Sequence, residues 1–201
     1  MSGYNDDQGL IEACRAGKTE AYGVLVRRYQ DRLYPTVLRL TGCADDAHDL
    51  LQETFLRAYE KLGRFHGDSS FYTWVYRIAV NLALSRRRRR RPALRLGEGR
   101  NGTPADPALD PRESDPSLPL ERAERDRMIQ EALNALAADH RAVVVMKEFD
   151  GLRYEEIGAV LGIPVGTVRS RLHRARCELR ERLRGLVDDE AAVRHVLPDV
   201  T

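Results

Sequence analysis

The sequence predicts an all-α protein built as two small helical domains joined by a flexible Pro-rich linker. Three observations lead there. Apolar residues recur at helical spacing on both sides of the chain's middle, and no run shows the two-residue alternation of a half-buried strand. Residues 92–119 hold six of the chain's nine Pro and three Gly with almost no periodicity. Such a stretch is too Pro-rich for a helix and too poor in apolar residues for a core. Residues 154–184 read as a short amphipathic helix, a tight turn and a second amphipathic helix. The expected organisation is a first domain at 1–91, a linker at 92–119, a second domain at 120–186 and a short tail at 187–201.

The first domain divides into four helices. Asp6 to Arg15 is short. Lys18 to Leu40 is long, with Tyr22, Leu25, Val26, Tyr29, Leu33, Val37 and Leu40 on one stripe; Pro35 interrupts it and is expected to kink it. Asp45 to Leu62 begins with acids, which the positive end of a helix dipole favours. Ala47, Leu51, Thr54 and Ala58 form its expected core side. Ser69 or Ser70 can cap a fourth helix. It runs from Phe71 through the arginines and is expected to stop before Pro92. Its core stripe is Phe71, Val75, Ile78 and Leu82. In the second domain, helices are expected near Glu121–Leu136 and Arg141–Phe149, ahead of the paired helices.

The turn between those paired helices carries the strongest local signal. Ile157 and Leu161 are spaced to face a core. Gly158 is small where two helices must cross closely, Gly162 permits a left-handed helix end, and Ile163 plugs the turn. Pro164 fits the first turn of the next helix. There, Val168, Leu172, Ala175, Leu179 and Leu183 form a buried stripe. Thr167, Ser170, Arg171 and Arg174 share a different face, flanked by Arg169 and Arg176. Seven Arg stand against two Glu between Val165 and Arg184. This is a helix-turn-helix whose second helix suits a DNA major groove. A solvated basic helix in a helical hairpin would need neither the turn chemistry nor two separate faces.

Other constellations are less specific. Asp49, Gln52, Glu53 and Leu56 fall on one side of the third helix. That mixture suits a polar protein interface with one apolar anchor, although composition alone favours an ordinary solvated face. Trp74, Arg77, Asn81 and Ser85 share a side of the fourth helix, where an aromatic ring, a guanidinium and an amide can meet unpaired bases. A tryptophan at such a position is more often a core residue than a platform for a base. The polar loop at 64–70 contains His66, Gly67, Asp68 and Ser69; it can hold an extruded base or serve as a plain connection ending in a Ser cap. Arg86 to Arg91 are six consecutive arginines. Extending a folded helix, they suit phosphate contact better than a localisation signal.

Several function classes recede on composition. The net charge is only +2, yet residues 1–91 carry 16 Lys/Arg against 11 Asp/Glu, and the basic clusters at 86–91 and 169–184 stand out locally. No apolar run approaches the roughly 20 residues a membrane span needs, and MSGYNDDQGL lacks a secretory signal pattern. Cys14, Cys43 and Cys177 form no C-x-x-C and suit a reducing, cytoplasmic setting. The five His form no metal-ligand spacing, so no metal and no cofactor is expected. No nucleophile–base pair or phosphate loop appears, so catalytic residues are not expected either.

With these segments placed, the order of motifs resembles the extracytoplasmic-function (ECF) sigma factors of bacteria. The residues that carry the resemblance are DDAHDLLQETFLRAYEKLGRF, HGDSSFYTWVYRIAVNLALSRRRR and YEEIGAVLGIPVGTVRSRLHRARCELRERL. It covers about 18–91 and 122–184. By this resemblance the first region is a sigma-2-like domain, and Asp49, Gln52, Glu53 and Leu56 sit where the family docks on the clamp helices of the largest RNA polymerase subunit. His66, Gly67, Asp68 and Ser69, with Asn81, Ser85 and Arg86, sit where it recognises the minus-10 element and holds a flipped base; relatives often carry Asn at the place of Ser85. The second region is sigma-4-like, with Thr167, Arg169, Ser170, Arg171 and Arg174 where the family reads the minus-35 element. Other surfaces of that domain meet the polymerase flap. The resemblance also implies promoter DNA as ligand, an anti-sigma factor as partner, and no direct insertion into a membrane. A stand-alone helix-turn-helix regulator is the alternative, but it needs neither the Asp49–Leu56 face nor the Asn81–Arg91 helix.

Overall fold

The computed structural model describes residues 3–94 and 117–184, with side chains described for 7–88 and 123–184. Among these, every regular element is helical. The first domain consists of α1 (Gly3–Arg15), α2 (Thr19–Thr41), α3 (Ala44–Lys61) with a 3₁₀ turn at Leu62–Arg64, and α4 (Phe71–Leu94). The second consists of α5 (Ser117–Ala135), α6 (Ala138–Val144) continuing into a π turn at Val145–Phe149, α7 (Tyr154–Leu161) and α8 (Val165–Arg182). Residues 95–116 of the expected linker and the expected tail lie outside the described residues.

Helix α2 is the spine of the first domain and packs against α1, α3 and α4. Its stripe behaves largely as the spacing predicts: Tyr22, Leu25, Leu33, Val37 and Leu40 are buried, while Val26 and Tyr29 pack at the margin. The helix runs unbroken through Pro35. Gly42 ends it with φ 82°, returning its N–H to Leu38 O at 2.7 Å. That left-handed position is where glycine is least strained.

Helix α3 buries Ala47, Leu50, Thr54, Phe55 and Ala58, with Leu51 only half-buried. The buried stripe is wider than the spacing implied because α2 and α4 both lie against this helix. The Thr54 hydroxyl is satisfied by Leu50 O at 2.7 Å. Ser70, not Ser69, caps α4: its Oγ accepts the Thr73 N–H at 3.0 Å.

The expected stop before Pro92 does not occur, since α4 continues to Leu94. A proline two residues from a helix end loses one hydrogen bond in the last turn and leaves the body of the helix intact. At the far side, α5 begins at Ser117 and takes Pro119 into its first turn, where a missing N–H costs nothing. Helix therefore claims both edges of the segment assigned from composition to the linker.

The two apolar cores meet. Val143, Val144, Val145 and Met146 are fully buried, and α6 packs against α4 as well as α8. Arg141 is buried to 1 % exposure. It donates to Leu133 O of α5 at 2.6 Å and to Leu40 O of α2 at 3.0 Å. One guanidinium thus satisfies the end carbonyls of helices from both domains. Burial, reinforced by nearby Arg87, pushes its pKa down. Asp150 accepts from Thr36 Oγ1 at 2.8 Å and from the Tyr76 hydroxyl at 2.6 Å. Burial raises the Asp150 pKa, while those two bonds and the Arg39 charge pull it back.

Candidate nucleic-acid interface

The helix-turn-helix is built on one close approach. A Cβ on Gly158 would sit 2.9 Å from Ile163 O, a main-chain atom that cannot swing away. Gly162 turns the chain with φ 66°, and Ile163 N–H reaches Gly158 O at 3.1 Å. Pro164 stands one position earlier than the spacing suggested, as the residue that caps α8; its carbonyl accepts the N–H groups of Thr167 and Val168. On α7, Ile157 and Val160 point inward and Leu161 is half-buried. On α8, Val168, Leu172, Ala175, Leu179 and Leu183 form the buried stripe as spaced.

The opposite side of α8 is not uniformly open. Arg169 is exposed and lies 5.7 Å from the Tyr154 ring centroid, and Arg174 is exposed. The Ser170 hydroxyl donates to Thr167 O at 3.1 Å. Arg171 is half-buried in an ion pair with Asp139 at 3.0 Å. Arg176 pairs at 2.7 Å with Glu148, whose side chain is only 3 % exposed. Arg176 therefore fixes α8 to the π turn, whereas Arg169 and Arg174 are exposed.

The loop before α4 is an exposed bulge on a fixed base. Phe65 is buried and packs against Phe71 and Trp74, at 6.0 and 5.1 Å between ring centroids. Trp74 thus supports the loop from beneath. Arg15 donates to Leu62 O at 3.0 Å and also to Phe65 O. Between this anchor and the Ser70 cap, His66, Gly67 and Asp68 are exposed and Ser69 is half-buried. Gly67 adopts φ 83°. Along α4, Asn81 is exposed, with Ser85 and Arg86 half-buried on following turns.

On α3, Asp49, Gln52 and Leu56 are exposed. Glu53 is half-buried between Arg57, at 2.6 Å, and Arg86 of α4. The Arg86 hydrogen bond is the main reason the Glu53 carboxyl titrates below its ordinary range; burial opposes it, and the Arg86 and Arg57 charges add to it. Leu56 is 59 % exposed and Tyr59 41 % exposed, and they are the large hydrophobic residues left open among the described residues. Tyr59 escaped the sequence reading, although its position three residues beyond Leu56 places it on the same side. The expected site residues therefore form three patches, on α8, on the loop with α4, and on α3. The Glu53–Arg86 pair joins the last two.

A cavity of about 810 Å³ opens between the domains. Arg32, Arg39 and Arg77 line it from the first domain, and Asp150, Glu155 and Glu156 from the second. Opposite charge therefore faces across the gap. Arg39 also lies 4.4 Å from the Phe149 ring centroid. The described residues hold no cluster of His, Cys, Asp and Glu able to bind a metal ion, and no helix long and apolar enough to cross a membrane.

Comparison with known proteins agrees with this geometry. Sigma-70 region 2 matches residues 25–93, which span α2 to α4. Sigma-70 region 4 matches residues 126–179, from α5 into α8. The chain is 40 % identical over 185 residues to an RNA polymerase sigma-H factor of Pseudomonas aeruginosa, covering 90 % of this chain and 95 % of that one. It is 38 % identical over 192 residues to an ECF RNA polymerase sigma-E factor of Escherichia coli, covering 93 % and 99 %. Among solved structures, it resembles the sigma factor RpoE in complex with the anti-sigma factor NepR from Bartonella quintana, at TM-score 0.60 and 27 % identity over 85 % of this chain and 98 % of that one. It also resembles CnrH in complex with the cytosolic domain of CnrY, at TM-score 0.60 and 27 % identity over 90 % and 98 %. With both domains, their order and nearly the whole length matched, the chain belongs to the ECF RNA polymerase sigma factors, which direct promoter-specific transcription initiation.

Proposed function

We propose that this chain acts in the cytoplasm, docks on core RNA polymerase through α3, and reads promoter DNA at two separate places. The observation that carries the proposal is the pairing of an open α3 anchor with two outward nucleic-acid patches on one chain. Leu56 and Tyr59 leave apolar surface in water that nothing in the described fold covers, with Asp49 and Gln52 as a polar rim. That is the make-up of an interface core and its border. Its partner is the clamp helices of the largest polymerase subunit, and the flap of the second largest meets the second domain. Glu53 contributes by orienting Arg86 as much as by direct contact.

On α8, Arg169 and Arg174 reach the major groove of the minus-35 duplex, with Thr167, Ser170 and Arg171 beside them. A good bidentate contact from Arg to guanine is worth about 1–3 kcal/mol of discrimination. The bulge of His66, Gly67, Asp68 and Ser69, with Asn81, Ser85 and Arg86, captures unpaired minus-10 bases. That capture offsets an unstacking cost of a few kcal/mol and so favours the open strand. Transition-state chemistry belongs to the polymerase; this chain catalyses nothing and holds no cofactor. An anti-sigma factor is the expected regulator, in line with the complexes of the structural relatives.

The test is run-off transcription with core polymerase reconstituted with the full chain, the transcripts sequenced at their 5′ ends. Defined start sites that require this chain support the proposal. Equal transcription from core alone defeats it. Duplex binding without any effect on core polymerase favours a stand-alone regulator.

A further inference from the structure

We propose that the cavity between the domains is a binding site for a nucleoside phosphate, with the phosphates on the arginines of the first domain and the base against the carboxylates of the second. Its volume of about 810 Å³ falls within the roughly 300–1,000 Å³ of small-molecule sites. Arg32 and Arg39 of α2 and Arg77 of α4 wall one side. Arg32 and Arg39 stand two helical turns apart on one face of α2, about 10 Å along its axis. That spacing suits an anion with more than one charged group. Among the described residues, none of these three guanidiniums forms an ion pair. Arg77 Nε is buried and has no hydrogen-bond partner. A buried donor without an acceptor is costly, and an anion held by the terminal nitrogens of Arg77 would offset that cost electrostatically.

The acids on the other side are engaged elsewhere. Asp150 accepts from Thr36 and Tyr76. Glu156 caps its own helix by accepting the Arg153 N–H at 2.7 Å. A positive and a negative wall therefore face each other, and among the described residues no ion pair joins them. This pairing selects the ligand. A plain polyanion would meet the arginines and be repelled by Glu155 and Glu156. A molecule that is anionic at one end and carries N–H donors at the other satisfies both walls. The guanidinium fork matches phosphate oxygens two at a time, and a carboxylate accepts from the ring and exocyclic N–H groups of a base. Tyr72 and Phe149 add aromatic surface to the lining, with Arg32 lying 4.0 Å and Arg39 4.4 Å from their ring centroids. Aromatic rings and guanidinium planes are the surfaces on which a base stacks. A nucleoside phosphate joins these chemistries in one molecule of suitable size.

The experiment is isothermal titration of the full chain with guanosine, adenosine and cytidine 5′-diphosphates, and with inorganic pyrophosphate, at one fixed ionic strength. At least one nucleoside diphosphate should bind one per chain, about tenfold or more tighter than pyrophosphate. Arg77→Gln should weaken that binding by about tenfold or more. Arg32→Gln, at the exposed rim of the cavity, should weaken it without touching the fold, and so serves if Arg77→Gln is unstable. Glu155→Gln should narrow the preference for the nucleotide over pyrophosphate, an effect that loss of an arginine does not produce. Arg180→Gln removes the same charge from an exposed position on α8 and should leave every affinity unchanged. Absence of nucleotide binding below about 1 mM overturns the proposal, as does equal affinity for pyrophosphate. An equal loss in Arg180→Gln and Arg32→Gln also overturns it, since binding would then follow overall charge and not the cavity.

Discussion

Helices α4 and α8 both carry arginines proposed to meet nucleic acid, but they are braced differently. On α8 the braces come from the same domain: Asp139 holds Arg171 and Glu148 holds Arg176. On α4 the neighbouring Arg86 and Arg87 are divided, one held by Glu53 of its own domain and the other by the carbonyls of Asn134 and Leu136 at the end of α5. The α8 face therefore keeps its shape wherever its domain travels. The α4 face includes a side chain held by the other domain. A face braced inside one domain holds its shape by itself, whereas a face braced across a domain boundary depends on how the two domains sit.

The comparison can be broken first at its strongest brace. Arg176→Ala strands the buried Glu148 carboxylate and should cost about 3 kcal/mol or more, read as a lowered midpoint in urea. Arg174→Ala on the same exposed helix should leave that midpoint within about 0.5 kcal/mol. Equal losses would mean that the α8 arginines do not divide into braces and readers.

Next in size is Leu56→Asp, which places a charge at the open anchor of α3. It should weaken core polymerase binding by about 2 kcal/mol, roughly thirtyfold, without lowering thermal stability. Unchanged competition for core would remove Leu56 from the interface. For Arg174→Ala, the functional loss should be about 1–3 kcal/mol of discrimination between intact and scrambled upstream elements. A template series in run-off assays measures it, with core binding preserved. A similar loss for Arg171→Ala is expected to come with reduced stability, because Asp139 loses its partner.

The smallest effect concerns Glu53. Its carboxyl is held below the usual range chiefly by Arg86. A depressed carboxylate pKa stabilises the fold above the unfolded value, and that stability fades as pH falls through the folded value. The side chain is 27 % exposed, so the contribution is expected to be under about 1 kcal/mol after solvent screening. Urea midpoints compared at neutral pH and at a pH below the ordinary Glu value should show the parent chain losing more than Arg86→Ala. Parallel losses would show that the pair contributes nothing to stability.

Much of this organisation is written in local spacing. The turn at Gly158 and Gly162, the α8 stripe and the long α2 helix follow from periodicity and glycine placement, and those rules act within a few residues. What escaped the sequence depends on distant neighbours. Leu50 and Phe55 face inward because two helices flank α3, which a single-helix stripe does not reveal. Glu53 looked like a free docking carboxylate until α4 delivered Arg86 beside it. The roles of Arg141 and Asp150 were invisible because their partners lie 101 and 114 residues away in the chain. Residues 92–94 and 117–119 were assigned to the linker by composition, yet prolines near helix ends do not prevent helix.

The Asp150 contact has a consequence for dosage. Because both halves belong to one chain, their meeting is unimolecular, and diluting or accumulating the protein does not change how often they meet. Leu56 and Tyr59 stay exposed while the domains touch, so the proposed docking on core polymerase does not require them to part. Raising the copy number then raises holoenzyme by mass action alone. A change at the Thr36–Asp150–Tyr76 joint alters how the two domains hold to each other and leaves every residue proposed to meet DNA or polymerase in place.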